Sequence, residues 1–549
     1  MVFMDNSLIK SVEDSLKKHW DLPALSDYKG STNHYKDVAR NIAKIHILFK
    51  EGGLQKGDRV AICGKNSANW GTTFLATLTY GAVAVPILSD FKPDNIHNIV
   101  NHSESRIFFA SASVWENMNC ELMPNIDTFV LLNDYSIIKS KQEHLYDVRN
   151  RLNEHFGKKY PKDFGEEDIS YFVENPEDLA LINYTSGTTG FSKGVMLPYR
   201  CLHNNMVFAF DVLRELKAGD TVVAMLPTAH MYGFSFEFFY EIIKGCHIQF
   251  LTKTPSPKII LQALAELKPR LIVMVPLILE KIYKKTLIPK LSSPIVKTLL
   301  HIPVVDKKIR SRMNQELTKV FGDNFIEIII GGAAFNPEIE SFFKKIGFRY
   351  TVGYGMTECG PIITYDGWKN NKLHSCGKAA TNMKIRIDSP DPQNIVGEVH
   401  TKGPNLMLGY LKNEEATRNQ FTADGWMKTG DLGIIDKDGY LFLKGRNKSM
   451  ILGPSGQNIY PEEIESKINT SSYVMESIVV EQNGKIVALV YPDYELLKEE
   501  HKDPDETMNE LFKLVNDELP VYSHIAKIKI HPEEFEKTPK RSIKRFMYQ

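Results

Sequence analysis

Short apolar runs recur along this chain, and each hands over to a glycine-rich or polar loop before a helical stretch begins. Val38, Ile42, Ile45 and Phe49 follow helical spacing, and Gly52-Gly53 ends that helix. Residues 59–63 read as a strand, 72–80 as a helix broken by Gly81, and 82–86 as the next strand. The same pattern returns at 180–184, 271–275, 325–330 and 350–352. Strands joined through helices make a parallel sheet covered by helices. The expected fold class is therefore α/β, with loops at the carboxyl ends of the strands, where open α/β sheets bind ligands.

The texture changes after about residue 377. Alternating segments at 383–387, 397–401, 433–436 and 440–444 are separated by Gly and Asp-Gly turns, which predicts an antiparallel β subdomain over about 378–446. From 447 a helix at 461–468, a strand at 485–490, a helix at 507–519 and a basic end follow. A chain of 549 residues exceeds one ordinary core. The expectation is a large N-terminal domain of layered α/β subdomains plus the β subdomain (1–446), and a small α+β C-terminal domain (447–549).

Lys plus Arg equals Asp plus Glu at 67 each, so the zero net charge argues against a nucleic-acid partner held by general phosphate attraction. Cys63, Cys120, Cys201, Cys246, Cys359 and Cys376 are too scattered for a paired-cysteine zinc site and read as small buried hydrophobes. The N-terminus lacks the basic start and long apolar stretch of a secretory signal. The charge-free stretch 66–89 contains Trp, Asn, Gly, Thr and Pro, and reads as helix plus strand rather than a membrane span. A cytoplasmic location is expected, with peripheral contact to a bilayer left open.

The most informative segment is Tyr184-Thr185-Ser186-Gly187-Thr188-Thr189-Gly190-Phe191-Ser192-Lys193-Gly194. Glycines let backbone N–H groups approach a polyanion, hydroxyls donate to phosphate oxygens, and a lysine supplies charge. No Gly-Lys-Ser/Thr follows, so this is not a Walker loop. A surface linker has similar composition, but this loop directly follows a buried-type strand.

The segment resembles the phosphate loop of the adenylate-forming superfamily, which contains acyl-CoA synthetases, luciferase-like enzymes and adenylation domains. Ser192 stands where that family usually has Pro. Further segments match in order. By this resemblance Thr185, Ser186, Gly187, Thr188, Thr189, Gly190 and Lys193 would hold ATP, and Gly331, Gly332 and Ala333 would border adenine. In Tyr354-Gly355-Met356-Thr357-Glu358, the Tyr would stack on adenine, Thr357 would bind the α-phosphate and Glu358 would hold Mg²⁺, with Thr185 as a second metal ligand. Asp431, downstream of Trp426, and Arg446 would meet the ribose. Lys448 would be the hinge pivot, and Gly456 would let the pantetheine arm of coenzyme A pass. His230, in Leu-Pro-Thr-Ala-His-Met-Tyr-Gly, would border the acyl carboxylate. Singly, each segment has a plainer reading: a strand-end turn, a turn aspartate, a packed histidine, or a helix start at Pro461.

The family's C-terminal catalytic lysine falls at Ser542, in Lys537-Thr538-Pro539-Lys540-Arg541-Ser542-Ile543-Lys544-Arg545. Lys540 and Lys544 each lie two residues away, on the same side of an extended strand, and Lys540 is the favoured substitute. The resemblance implies a carboxylic-acid substrate, activated with ATP and Mg²⁺ as an acyl-AMP and passed to coenzyme A. The run Met-Tyr-Gly-Phe-Ser-Phe-Glu-Phe-Phe-Tyr after His230 suits an alkyl chain, or equally core packing. A fatty acid is the expected substrate. Transfer to an acyl carrier protein and a degenerate, ligand-binding member are the alternatives.

Overall fold

The computed structural model describes residues 7–185, 192–252, 256–286, 303–452, 457–538 and 543–548. An eight-stranded sheet runs in the order Gly409–Tyr410, Lys193–Pro198, Leu179–Thr185, Val83–Ile87, Arg59–Cys63, Ile107–Ala110, Thr128–Leu131, Ile137–Ser140. Its five central strands are parallel, and antiparallel strands close both edges. The central strands are buried along nearly their whole length, as parallel strands covered on both faces must be.

A second sheet pairs Thr221–Ala224 with His247–Phe250, Pro23–Asp27 and Thr32–His34. A parallel bridge between Val222 and Leu271 continues it into Ile272–Met274, Ile328–Ile330 and Tyr350–Val352. Helix Ala68–Tyr80 starts on Ser67, whose side chain accepts from Trp70 N–H, and stops at left-handed Gly81 (φ 86°). The helix is buried on almost every side, which is why 66–89 carries no charge. Among the described residues no helix is long and apolar enough to cross a membrane.

The antiparallel unit consists of Lys384–Asp388, Gly397–Lys402, Met427–Ile435 and Leu441–Arg446. The C-terminal part has its own core, with Ile464 and Ile468 of helix Pro461–Thr470 packed on Val479, Val490, Met508 and Val515. Its sheet orders Val474–Gln482, Lys485–Pro492 and Lys527–Ile530. Lys284 Nζ donates to Asn469 O (2.8 Å), Ser471 O (3.1 Å) and Val474 O (3.4 Å), joining the two parts.

Several expectations need correcting. Helix Ala68–Tyr80 begins four residues before 72, because Ser67 caps it. Within 325–330 only Ile328–Ile330 is strand, since pairing to Ile272–Met274 and Tyr350–Val352 lasts three residues. The strand expected at 433–436 extends over Met427–Ile435, because two neighbours pair along it. Four cysteines are fully buried, and Cys120 and Cys376 are partly buried against the same core.

Candidate active site

Strands Leu179–Thr185 and Lys193–Pro198 form a hairpin in which Thr185 faces Lys193 and Tyr184 faces Gly194. Ser186, Gly187, Thr188, Thr189 and Gly190 lie outside the described residues. Asn183 Nδ2 donates to Ala229 O (2.8 Å), tying this hairpin to the His230 segment.

Registers then bring the other loops together. Ile330 pairs with Val352, so Gly331-Gly332 and Gly353-Tyr354 emerge side by side from adjacent parallel strands. Gly353 N–H donates to Ile330 O (2.9 Å). Tyr232 O–H donates to Ile329 O (3.1 Å), and its ring lies where a Cβ on Gly331 would sit, at 3.0 Å. A side chain at 331 would thus displace Tyr232. Gly332 takes φ +84°, and both Gly332 and Ala333 are exposed at the mouth of these loops.

Thr357 and Glu358 open a single helical turn, Thr357–Cys359, ended by left-handed Gly360. Both are buried. Tyr410 O–H donates to Glu358 Oε1 (2.8 Å), the only hydrogen bond that this carboxylate accepts among the described residues. The Lys193 ammonium sits over the Tyr410 ring, 4.7 Å from its centroid. Lys193, Tyr410 and Glu358 are thus one contiguous cluster. A carboxylate with one oxygen held by Tyr410 and the other without a protein donor among the described residues fits a hard cation such as Mg²⁺. Among the described residues no three His, Cys, Asp or Glu side chains cluster, so other oxygens would have to come from the nucleotide or water.

A second cluster lies beside the first. Tyr354 O–H donates to Asp431 Oδ2 (2.6 Å), and Arg446 Nε reaches Asp431 Oδ1 at 3.1 Å. Asp431 N–H donates to Thr429 Oγ1 (3.1 Å). Burial, and then the Asp431 charge, hold the Tyr354 hydroxyl well above its ordinary pKa, so it stays a donor. A carboxylate has about four acceptor positions, so Asp431 keeps capacity for ribose hydroxyls. Asn447 N–H donates to Gly430 O (2.9 Å), and Lys448 follows, exposed.

His230 caps helix Met231–Phe234, with Nδ1 accepting from Tyr232 N–H at 3.3 Å. That bond leaves Nε2 as the protonated nitrogen of the neutral ring. The aromatic run behind it is mainly core. Phe234, Phe238 and Phe239 are fully buried, with Phe234 stacked on Phe239 at 5.0 Å and tilted against Phe74 at 4.7 Å. Of the core-packing and alkyl-lining readings, these rings follow the first. Tyr232 is the ring that reaches the glycine loop. Glu237 is buried among them, with Oε2 accepting from Met225 N–H (3.0 Å) and Leu226 N–H (2.7 Å). Burial pushes its pKa well up.

Lys540, Arg541, Ser542 and Gly456 lie outside the described residues. Lys544, the other lysine near the departure, pairs with Glu536 at 3.1 Å. Tyr410 is a site-lining residue that the sequence did not single out, whereas Thr429 opens the Thr429-Gly430-Asp431 segment already matched to ribose binding. Tyr410 belongs to a two-residue strand, too short for any periodic signal.

Residues 12–411 match the family described as AMP-binding enzyme, and residues 448–548 match the AMP-binding enzyme C-terminal domain. A long-chain-fatty-acid–CoA ligase, FadD15 of Mycobacterium bovis, is 26% identical over 460 residues, covering 78% of this chain and 72% of that protein. The fold matches ATP-bound MatB from Rhodopseudomonas palustris with TM-score 0.78 at 23% identity, covering 99% of this chain and 98% of that one. It also matches O-succinylbenzoate coenzyme A synthetase (MenE) from Bacillus subtilis, in complex with ATP and magnesium ion. That match has TM-score 0.74 at 21% identity and covers 98% of each chain. With the family match spanning most of its length and these loops converging at the strand ends, the chain belongs to the AMP-binding enzymes.

Proposed function

We propose that this protein is an AMP-forming acid–thiol ligase that activates a fatty acid with ATP and transfers the acyl group to coenzyme A. The observation that carries the reading is the Lys193–Tyr410–Glu358 cluster beside the Tyr354–Asp431–Arg446 cluster. One offers a cation and a hard carboxylate to phosphates, and the other offers a ring and a carboxylate to a nucleoside.

In the first step a carboxylate oxygen attacks the α-phosphorus and the bond to pyrophosphate breaks. Such transfers depend on positioning and charge neutralisation rather than covalent help from the protein. Lys193, the hydroxyls of the 185–190 loop and Thr357 would supply donors to the phosphates. Glu358 and Thr185 would hold magnesium, which supplies charge neutralisation at the phosphates when bound. Asp431 and Arg446 would fix the ribose, and His230 would orient the acid. In the second step the coenzyme A thiolate attacks the acyl carbonyl and the bond to AMP breaks. Lys448 would be the pivot between the two steps, Gly456 would pass the pantetheine arm, and Lys540 would stand in for the lysine that Ser542 replaces.

A fatty acid is favoured over an amino acid because Glu237, the one acid between Asp220 and Glu241, is buried and engaged by backbone N–H groups rather than open to an ammonium. The long-chain ligase relative agrees with that choice.

The test is pyrophosphate release with acids from acetate to stearate and with benzoate, with and without coenzyme A or an acyl carrier protein as acceptor. Release should rise for aliphatic acids of about eight or more carbons, since each buried methylene adds about 0.8 kcal/mol. Thioester should form on coenzyme A. Lys193→Ala and Glu358→Ala should each lower release by about a hundredfold. Silence with every acid would defeat the reading.

A further inference from the structure

We infer that Tyr410 is a positioning residue that keeps the phosphate-binding cation and the metal-binding carboxylate apart and aimed into the cleft. The inference rests on the proposed roles of Lys193 and Glu358 and adds a residue that neither requires.

Strand Gly409–Tyr410 pairs with the strand that begins at Lys193, with Gly409 opposite Met196 and Tyr410 opposite Val195. Leu411 N–H donates to Gly194 O (2.8 Å), and Met407 N–H donates to Glu358 O (2.9 Å). The backbone on either side of Tyr410 is therefore bonded to both elements that it separates. Its own N–H donates to Thr417 Oγ1 (2.9 Å). Thr417 also fills the place of a Cβ on Gly409, where it would lie 2.7 Å away.

The side chain then makes two different contacts. Its ring face carries the Lys193 ammonium at 4.7 Å, an attraction to the ring quadrupole. Its hydroxyl donates to Glu358 Oε1 at 2.8 Å. Gln420 Oε1 lies 3.2 Å from the same hydroxyl, but one proton goes to the nearer, charged acceptor.

An ammonium and a carboxylate that share one neighbouring side chain are within reach of pairing if that side chain is removed. No ion pair joins Lys193 and Glu358 among the described residues, and the buried Tyr410 side chain touches one with its ring and the other with its hydroxyl. Without the ring the two charges would quench one another, leaving neither to phosphate nor to metal. Without the hydroxyl alone, the spacer would remain but Glu358 would be free to turn.

The two contacts separate experimentally in the full-length protein. Tyr410→Phe keeps the ring and should leave ATP affinity without magnesium unchanged by titration calorimetry. It should raise the magnesium concentration needed for half-maximal ATP binding by about fivefold or more, the scale of one lost charge-assisted hydrogen bond. Tyr410→Leu removes both contacts and should also weaken magnesium-free ATP binding by about fivefold or more. In acid-dependent pyrophosphate exchange, Tyr410→Phe should lower kcat with little change in the acid's KM, and excess magnesium should restore much of it. Thioester formation from supplied acyl-AMP should be unaffected. Wild-type magnesium dependence in Tyr410→Phe, or identical binding by the two variants, would overturn the inference. If no acid supports exchange in the wild-type chain, the ligase reading fails, while the calorimetric comparison still decides the role of Tyr410.

Discussion

Glu241 is the residue whose environment most contradicts its chemistry. It is fully buried, and neither carboxyl oxygen has a hydrogen-bond partner among the described residues. Desolvation pushes its pKa from the ordinary 4.5 up to about 8. Tyr35, Tyr240, Cys246 and Glu237 face it, and burial holds each of them in its neutral form as well. A carboxyl with a raised folded-state pKa favours folding fully only below its unfolded value. Stability is then lost as pH rises from about 4.5 towards 8, because the unfolded chain ionises and the folded one does not. Glu241→Gln keeps the shape and removes the titration. The variant's thermal midpoint relative to wild type should therefore climb between pH 5 and pH 8, corresponding to a few kcal/mol, order of magnitude. Subtracting the wild type cancels Glu237, which acts in the same direction. A difference that stays flat across that range would mean that the acid is ionised in the fold.

At the scale of elements, legibility followed the sharpness of the stops and the continuity of the apolar pattern, not strand length. Strands Arg59–Cys63 and Tyr350–Val352 coincide with the sequence reading, because each is a short, mostly apolar or β-prone run with a glycine near one end. Val474–Gln482 escaped it, since Glu476 and Ser477 interrupt the apolar pattern even though both are buried in the fold. Helix Leu8–Lys18 escaped it for lack of a strong start signal, although Ser7 caps it. The loops of the candidate site were visible as composition. Their convergence was not, because it depends on registers such as Ile330 with Val352, and on Tyr410, which gains meaning only through long-range pairing.

The turn that carries Glu358 gives an element-scale prediction. A Cβ on Gly355 would lie 2.1 Å from Pro361 O, the same oxygen that accepts Met356 N–H at 2.9 Å. Backbone, not a flexible side chain, is the obstacle, so Gly355→Ala should open the 356–361 turn and shift Glu358. The expected cost is about 1–3 kcal/mol of stability, as for other overpacked sites. ATP affinity should fall further than that loss of stability alone would cause. Gly367→Ala, where nothing lies within 4 Å of the added methyl, is the matched control and should leave both unchanged. Equal behaviour of the two variants would show that the turn absorbs the methyl.

For the whole molecule the decisive contact is between the large part and helix Pro461–Thr470. Helix carboxyl ends leave carbonyls unsatisfied. Lys284 has three ammonium donors, and it uses them on Asn469 O, Ser471 O and Val474 O. Burial pulls the Lys284 pKa down, while Glu280 beside it works in the opposite direction. Asn336 adds a second tie: its Oδ1 caps helix Pro337–Ile346, while its Nδ2 donates to Thr470 Oγ1 (3.1 Å) and Ser466 O (3.3 Å). Asn336→Ala would therefore uncap a helix as well as loosen the contact, so Lys284→Met, which keeps most of the stem, isolates the latch. Hydrogen bonds to a charged donor contribute about 1.5–3 kcal/mol each, so losing this set should shift the arrangement's population by about tenfold or more. Protease cleavage in the 446–450 connection of Lys284→Met should accelerate accordingly, with the thermal midpoint of the large part unchanged. Under the proposed hinge at Lys448, the half-reaction served by this arrangement should slow while the other is maintained. Wild-type cleavage rates in Lys284→Met would mean that the carbonyls find equivalent partners and that the latch does not set the arrangement.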